Sequence, residues 1–123
     1  MSQFSTLVKN ARADAITAYA GIGAKLSIWT AGYGTKLVEW TWTGDIWGAA
    51  AAGVLTMNAP AVNPMTPVAD GTGVIARITK ADGTTVVRDG FTVGTSGTEV
   101  IVSNEVIATT SPVTLNSLTA TEA

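Results

Sequence analysis

The sequence predicts a mainly β fold, an antiparallel β-sandwich or jelly-roll-like barrel carrying one N-terminal α-helix. Two observations carry that expectation. Residues 4–20 place apolar side chains at helical spacing, and from residue 25 onward the apolar period shortens to two, in short runs separated by Gly-containing turns. The length sets the scale: 123 residues suffice for a single domain (1–123) with one modest core.

Phe4, Val8, Ala11, Ala15, Ala18 and Tyr19 form the helical stripe, with Lys9, Arg12 and Asp14 off it. Ser5 suits an N-cap or the first turn, and Gly21 supplies the stop. Ala in the stripe would let the helix approach a sheet or another subunit closely.

In the β domain, 25–123, Leu26, Ile28 and Thr30 alternate with Lys25, Ser27 and Trp29 in a first strand. Gly32-Tyr33-Gly34 reads as a turn. Val38, Trp40 and Trp42 then alternate with Leu37, Glu39 and Thr41 in a second strand, and Gly44-Asp45 turns the chain again. The segment 46–73 is irregular and rich in Ala and Pro. Ala49–Ala52 suit a helix but lie between Gly48 and Gly53; Val54–Met57 suit a short strand; Pro60, Pro64 and Pro67 exclude a central strand. From Val74 to Thr79 a further strand leads to the turn Ala81-Asp82-Gly83. Thr84–Arg88 returns from it, and Asp89-Gly90 offers a second turn of the same kind. After Phe91–Val93 comes the loop Gly94-Thr95-Ser96-Gly97. Glu99–Ser103 and Val113–Thr121 complete the strands, with Ile107 anchoring the chain between them.

The composition excludes several function classes. Seven Lys+Arg against nine Asp+Glu give net charge −2, too few basic residues for a nucleic-acid face. No cysteine means no disulfide and no thiolate metal site. Charged residues are 13% of the chain, about half the share usual for a soluble domain. That deficit, with a mean hydropathy of +0.32, predicts a surface partly covered in an assembly. Met1-Ser2-Gln3-Phe4 is no signal-peptide start, and the apolar run Ile46–Leu55 is far short of a membrane span, so neither export nor a membrane is expected.

Catalytic chemistry finds little to use. Histidine is absent, which removes the commonest general base and metal ligand, and so is a thiol nucleophile. Gly94-Thr95-Ser96-Gly97 is not a nucleophile elbow. Asp82 and Asp89 each have a local reason to precede Gly in a turn, Glu39 reads as an outward residue of an alternating strand, and Gly71-Thr72-Gly73 opens no helix. No enzyme activity, metal or cofactor is expected.

The aromatic cluster is the feature that composition does flag. Trp29, Trp40, Trp42 and Trp47 fall within nineteen residues, with Tyr33 among them. Three readings stand: one end of the core, a subunit interface, or a stacking platform for sugars. As interface candidates the sequence offers Phe4, Val8, Arg12 and Tyr19 on the helix and Trp29, Tyr33, Trp40, Trp42 and Trp47 in the cluster.

Several strings also carry a resemblance. Asn10-Ala11-Arg12-Ala13-Asp14-Ala15-Ile16 near the start is followed by Ile28-Trp29-Thr30-Ala31-Gly32, then Ala76-Arg77-Ile78, Ala81-Asp82-Gly83-Thr84, Asp89-Gly90 and Val93-Gly94-Thr95-Ser96-Gly97, closing near Val113-Thr114-Leu115. In this order they resemble a family of small tailed-bacteriophage virion structural proteins. That family has a Tyr-Thr-Gly-like turn where Trp29 stands here, and residues 46–73 depart from it. The resemblance implies a virion location after assembly in the host bacterial cytoplasm, and brings no catalytic residues. It makes a capsid decoration (cement) protein the leading expectation: a homotrimer or other small oligomer on the major capsid protein, using the Ala-faced helix and exposed strand edges as contacts. The alternatives are a neck, tail or fibre component, and a host-glycan-binding module built on the Trp cluster. In the helix, Arg12 and Asp14 are too close in sequence to face each other, so an ion pair with the β domain is expected.

Overall fold

A computed structural model describes residues 5–121; Phe4 lies outside them. The helix α1 (Thr6–Ala20) is followed by β1 (Lys25–Trp29), a 3-10 turn (Ala31–Tyr33) and β2 (Lys36–Thr41). Seven more strands follow: β3 (Val54–Thr56), β4 (Gly71–Thr72), β5 (Ile75–Thr79), β6 (Val86–Gly94), β7 (Val100–Val102), β8 (Val106–Ile107) and β9 (Leu115–Thr121). The fold is mainly β with one helix, as the periodicities predict, and its main sheet curls into a half-barrel beside a small second sheet. The main sheet has the order β2-β1-β5-β6-β7-β9-β3, while β4 and β8 pair alone.

The caps of α1 follow from its sequence. The Ser5 hydroxyl accepts the Val8 N–H at 3.3 Å, and Gly21, at φ 73°, donates its N–H to the Thr17 carbonyl. Which face packs inward differs from the predicted stripe. Ala13, Ile16 and Ala20 meet the core, whereas Val8, Ala11, Ala15, Ala18 and Tyr19 face outward. Polar anchors fix that orientation: the Asn10 side chain accepts the Gly53 N–H at 2.7 Å, and Asp14 accepts the Ala50 N–H at 2.9 Å. Asp14 therefore holds a backbone amide of the β domain in place of the expected ion-pair partner.

The second Asp-Gly pair does not turn the chain. Val86–Arg88 and Phe91–Val93 belong to one long strand, because β6 continues through Asp89-Gly90 as a bulge, while Thr84 and Thr85 stay in the turn that precedes it. Ala76 pairs with Phe91 and Ile78 with Arg88, so one residue of β5 faces an extra residue of β6, with Gly90 at φ 76°. Asp82-Gly83, by contrast, is a true turn: its carboxylate accepts the Thr84 and Thr85 N–H groups. The sheet is also mixed rather than purely antiparallel, since β6 and β7 run parallel. Their short link, 95–99, is closed by two bonds, Thr92 N–H to the Glu99 carboxylate and Glu99 N–H to the Thr92 hydroxyl.

Ala49–Ala52 form no helix. Ala51 and Val54 exchange backbone hydrogen bonds around Ala52-Gly53, both at positive φ (53° and 76°), a two-residue hairpin turn into β3. The rest of the irregular segment covers both sheet edges. Ala61 and Val68 donate to the Thr41 and Leu37 carbonyls of β2, and Gly48 donates to the Thr56 carbonyl of β3. At these three carbonyls the strand edges expected as contacts are bonded by the chain itself.

Candidate functional site

The sheet divides the aromatic cluster. Trp40 pairs with Leu26 across β2 and β1, on the core face; Trp29 lies on the opposite face with Lys25 and Ser27. Trp40, Trp42 and Trp47 are 0–2% exposed and form part of the core with Phe91, Leu55 and Leu118. They can meet neither a partner nor a sugar unless the core opens. Trp42 donates its indole N–H to the Asn58 carbonyl at 2.8 Å; the indole N–H groups of Trp40 and Trp47 are buried without a protein acceptor.

Trp29 and Tyr33 remain half-exposed, and a residue that the sequence does not single out joins them. Arg77 is the β5 residue opposite the Asp89-Gly90 bulge, in register with Ser27 of β1, which is in register with Glu39 of β2. Its guanidinium carbon sits 3.7 Å from the Tyr33 ring centroid and 5.1 Å from that of Trp29. The two rings meet edge to face at 6.0 Å.

Each ring is pinned. The Tyr33 hydroxyl accepts the Gly90 N–H at 2.8 Å, the very amide that the bulge frees from the ladder, and the Trp29 indole donates to the Ser27 hydroxyl at 2.8 Å. Tyr33 has φ 56°, a left-handed conformation costly for a side chain of its size, of order 1 kcal/mol. Lys36 and Lys25 hold Glu39 at 3.3 and 4.0 Å. Ser27, Trp29, Lys36, Glu39, Arg77 and Thr79 surround a cavity of about 270 Å³, closed at one end by Gly83 and Thr84 of the neighbouring turn. The signal that marks Arg77 in the sequence is its position: a lone cation inside an alternating strand that faces an Asp-Gly step of the next.

The helix provides the second surface. Leu7 (82% exposed), Val8, Ala11, Ala15, Ala18, Tyr19 and Ile22 (73%) cover its outer side, with the Lys80 ammonium 3.9 Å from the Tyr19 ring centroid. Arg12 is exposed on the same side. A cleft of about 420 Å³ between α1 and residues 45–58, lined by Asp14, Thr17, Asp45, Trp47 and Asn58, is the remaining concavity of note. Its Asp14 is already committed to Ala50. Among the described residues no three acidic side chains gather as metal ligands would, and no helix is long and apolar enough to cross a membrane.

The class that fold and surface define is a curled, mixed β half-barrel with one helix laid across it and an aromatic–cation shelf on its outer face. In comparisons with known proteins, no family model, curated protein or solved structure matches the chain.

Proposed function

We propose that this protein is a virion structural protein of a tailed bacteriophage, a capsid decoration protein that docks on the major capsid protein and stabilises the head. The observation that carries the docking reading is the outward helix face: Leu7, Val8, Tyr19 and Ile22 flank a strip of exposed alanines. The resemblance of the sequence strings supplies the phage context. From Val8 to Tyr19 the strip is about 16 Å long at 1.5 Å per residue. At a helix width of ~10 Å the strip covers roughly 160 Å², far less than the ~800 Å² per partner of a standard interface, so one such contact binds weakly. A cement protein suits that geometry, because many copies and small symmetric oligomers add affinity by avidity.

The test is removal of the gene from the phage that encodes the chain. Particles lacking the protein should release DNA at lower temperature and after milder osmotic shock. Fully robust particles count against a head-stabilising role, and a protein present in few copies per particle moves the reading to the neck, tail or fibre. A second reading, a host-glycan module, is supported by Trp29 alone of the four tryptophans, since the others lie in the core. Quenching of tryptophan fluorescence by host glycans tests it.

A further inference from the structure

We propose that the cavity beside Arg77 is a receptor for a single carboxylate, the Asp or Glu side chain of a docked partner protein. The occupant rests on the docking reading above; the chemistry of the cavity does not. Arg77 makes ring contacts with Tyr33 and Trp29 and, among the described residues, its side chain has no hydrogen-bond or ion-pair partner. Its Nε is buried with no protein acceptor. A guanidinium is a rigid planar fork of five donors, shaped for two parallel bonds to a carboxylate. A buried donor without an acceptor is a cost that native structures rarely carry without cause.

The surroundings make that fork ready. The two pinned rings fix its plane, so little side-chain entropy remains to be lost when an acid arrives. Glu39, the acid among the lining residues, is engaged by Lys36 and Lys25 at 3.3 and 4.0 Å. Around the cavity Lys25, Lys36 and Arg77 stand against the single carboxylate of Glu39, a positive excess that suits an anion. Size points the same way: at about 270 Å³ the cavity lies below the ~300–1,000 Å³ of small-molecule sites and suits one side chain. Arg, Trp and Tyr are also the residues that most often anchor protein interfaces.

The probe is N-acetyl-glutamate amide, whose only charge is the side-chain carboxylate, with N-acetyl-glutamine amide as its neutral isostere. Both are titrated into the isotope-labelled protein while the Arg77 Nε–H and Trp29 indole N–H resonances are followed. The glutamate probe should shift both resonances to saturation, and the glutamine analogue should bind about tenfold or more weakly, as expected when a charge-assisted pair is lost. Arg77→Lys keeps the charge but not the fork, and should weaken the glutamate probe by a similar factor while its melting temperature shows that it folds. Equal binding of the two probes, tighter binding of inorganic phosphate, an unaltered response in Arg77→Lys, or no saturable shift overturns the proposal. Those failures leave the helix face untouched, so they do not test the docking reading.

Discussion

The hydroxyl of Tyr33 and the backbone N–H of Gly90, 57 residues apart in the chain, are joined at 2.8 Å, and this bond ties the 3-10 turn to the bulge of β6. It lets Tyr33 lie over Arg77 despite its left-handed backbone. Tyr33→Phe keeps the ring and removes this bond together with the longer one, 3.4 Å, that the hydroxyl donates to the Ala76 carbonyl. Gly90 is exposed, so water can take the freed N–H, and the expected loss is about 1 kcal/mol. Urea unfolding with amide exchange at Gly90 checks this; unchanged stability and unchanged exchange would show that the bond carries nothing.

Ala52 should be a poor residue for its own position. At φ 53° in a two-residue hairpin turn it holds a conformation that Asn adopts more readily, and its side chain is exposed. Ala52→Asn should therefore stabilise the chain by about 0.5 kcal/mol. A lower melting temperature in Ala52→Asn would contradict this description of the turn.

The buried tryptophans should not be equivalent. Trp40→Phe and Trp42→Phe remove the same part of a buried ring, yet only Trp42 loses a hydrogen bond, the one to the Asn58 carbonyl. Trp42→Phe is expected to cost about 1 kcal/mol more than Trp40→Phe, the net worth of a buried hydrogen bond. Denaturation midpoints of the pair decide it, and the reverse order is the contrary result.

Acid should weaken the turn at Asp82. The Thr85 hydroxyl, then the Thr85 and Thr84 amides, hold its carboxyl down from 3.8 to about 2. A group whose pKa falls on folding adds stability above its unfolded value and loses it as the pH drops through the folded one. Stability should thus decline between about pH 4 and pH 2, and Asp82→Asn should flatten that part of the curve. Parallel curves for the two proteins would remove Asp82 from the acid response.

Sequence periodicity locates α1, β1, β2, β5 and the turn at Asp82 because those signals are local. Two Asp-Gly pairs show where locality ends. Gly83 and Gly90 have nearly the same φ, 75° and 76°, but one reverses the chain and the other bulges a continuing strand. The difference lies in what β5 offers across the ladder, which the local string does not contain. The helix stripe is a similar case. Two faces of α1 can present small apolar residues, and the bonds of Asn10 and Asp14 to residues 50–53 select the inner one. Strand parity separates Trp29 from Trp40 only once the register between β1 and β2 is known. Arg77 is inconspicuous in the sequence for the same reason, since its ring partners come from β1 and the 3-10 turn.

The most direct test of docking through the outer helix face is the copy number of Ala15→Glu in purified phage particles, counted by mass spectrometry against the wild type. Ala15 is exposed, so the variant should fold with an unchanged melting temperature while its occupancy on the particle falls by about tenfold or more, as burying an unpaired carboxylate demands. Wild-type occupancy by the folded variant would contradict the account.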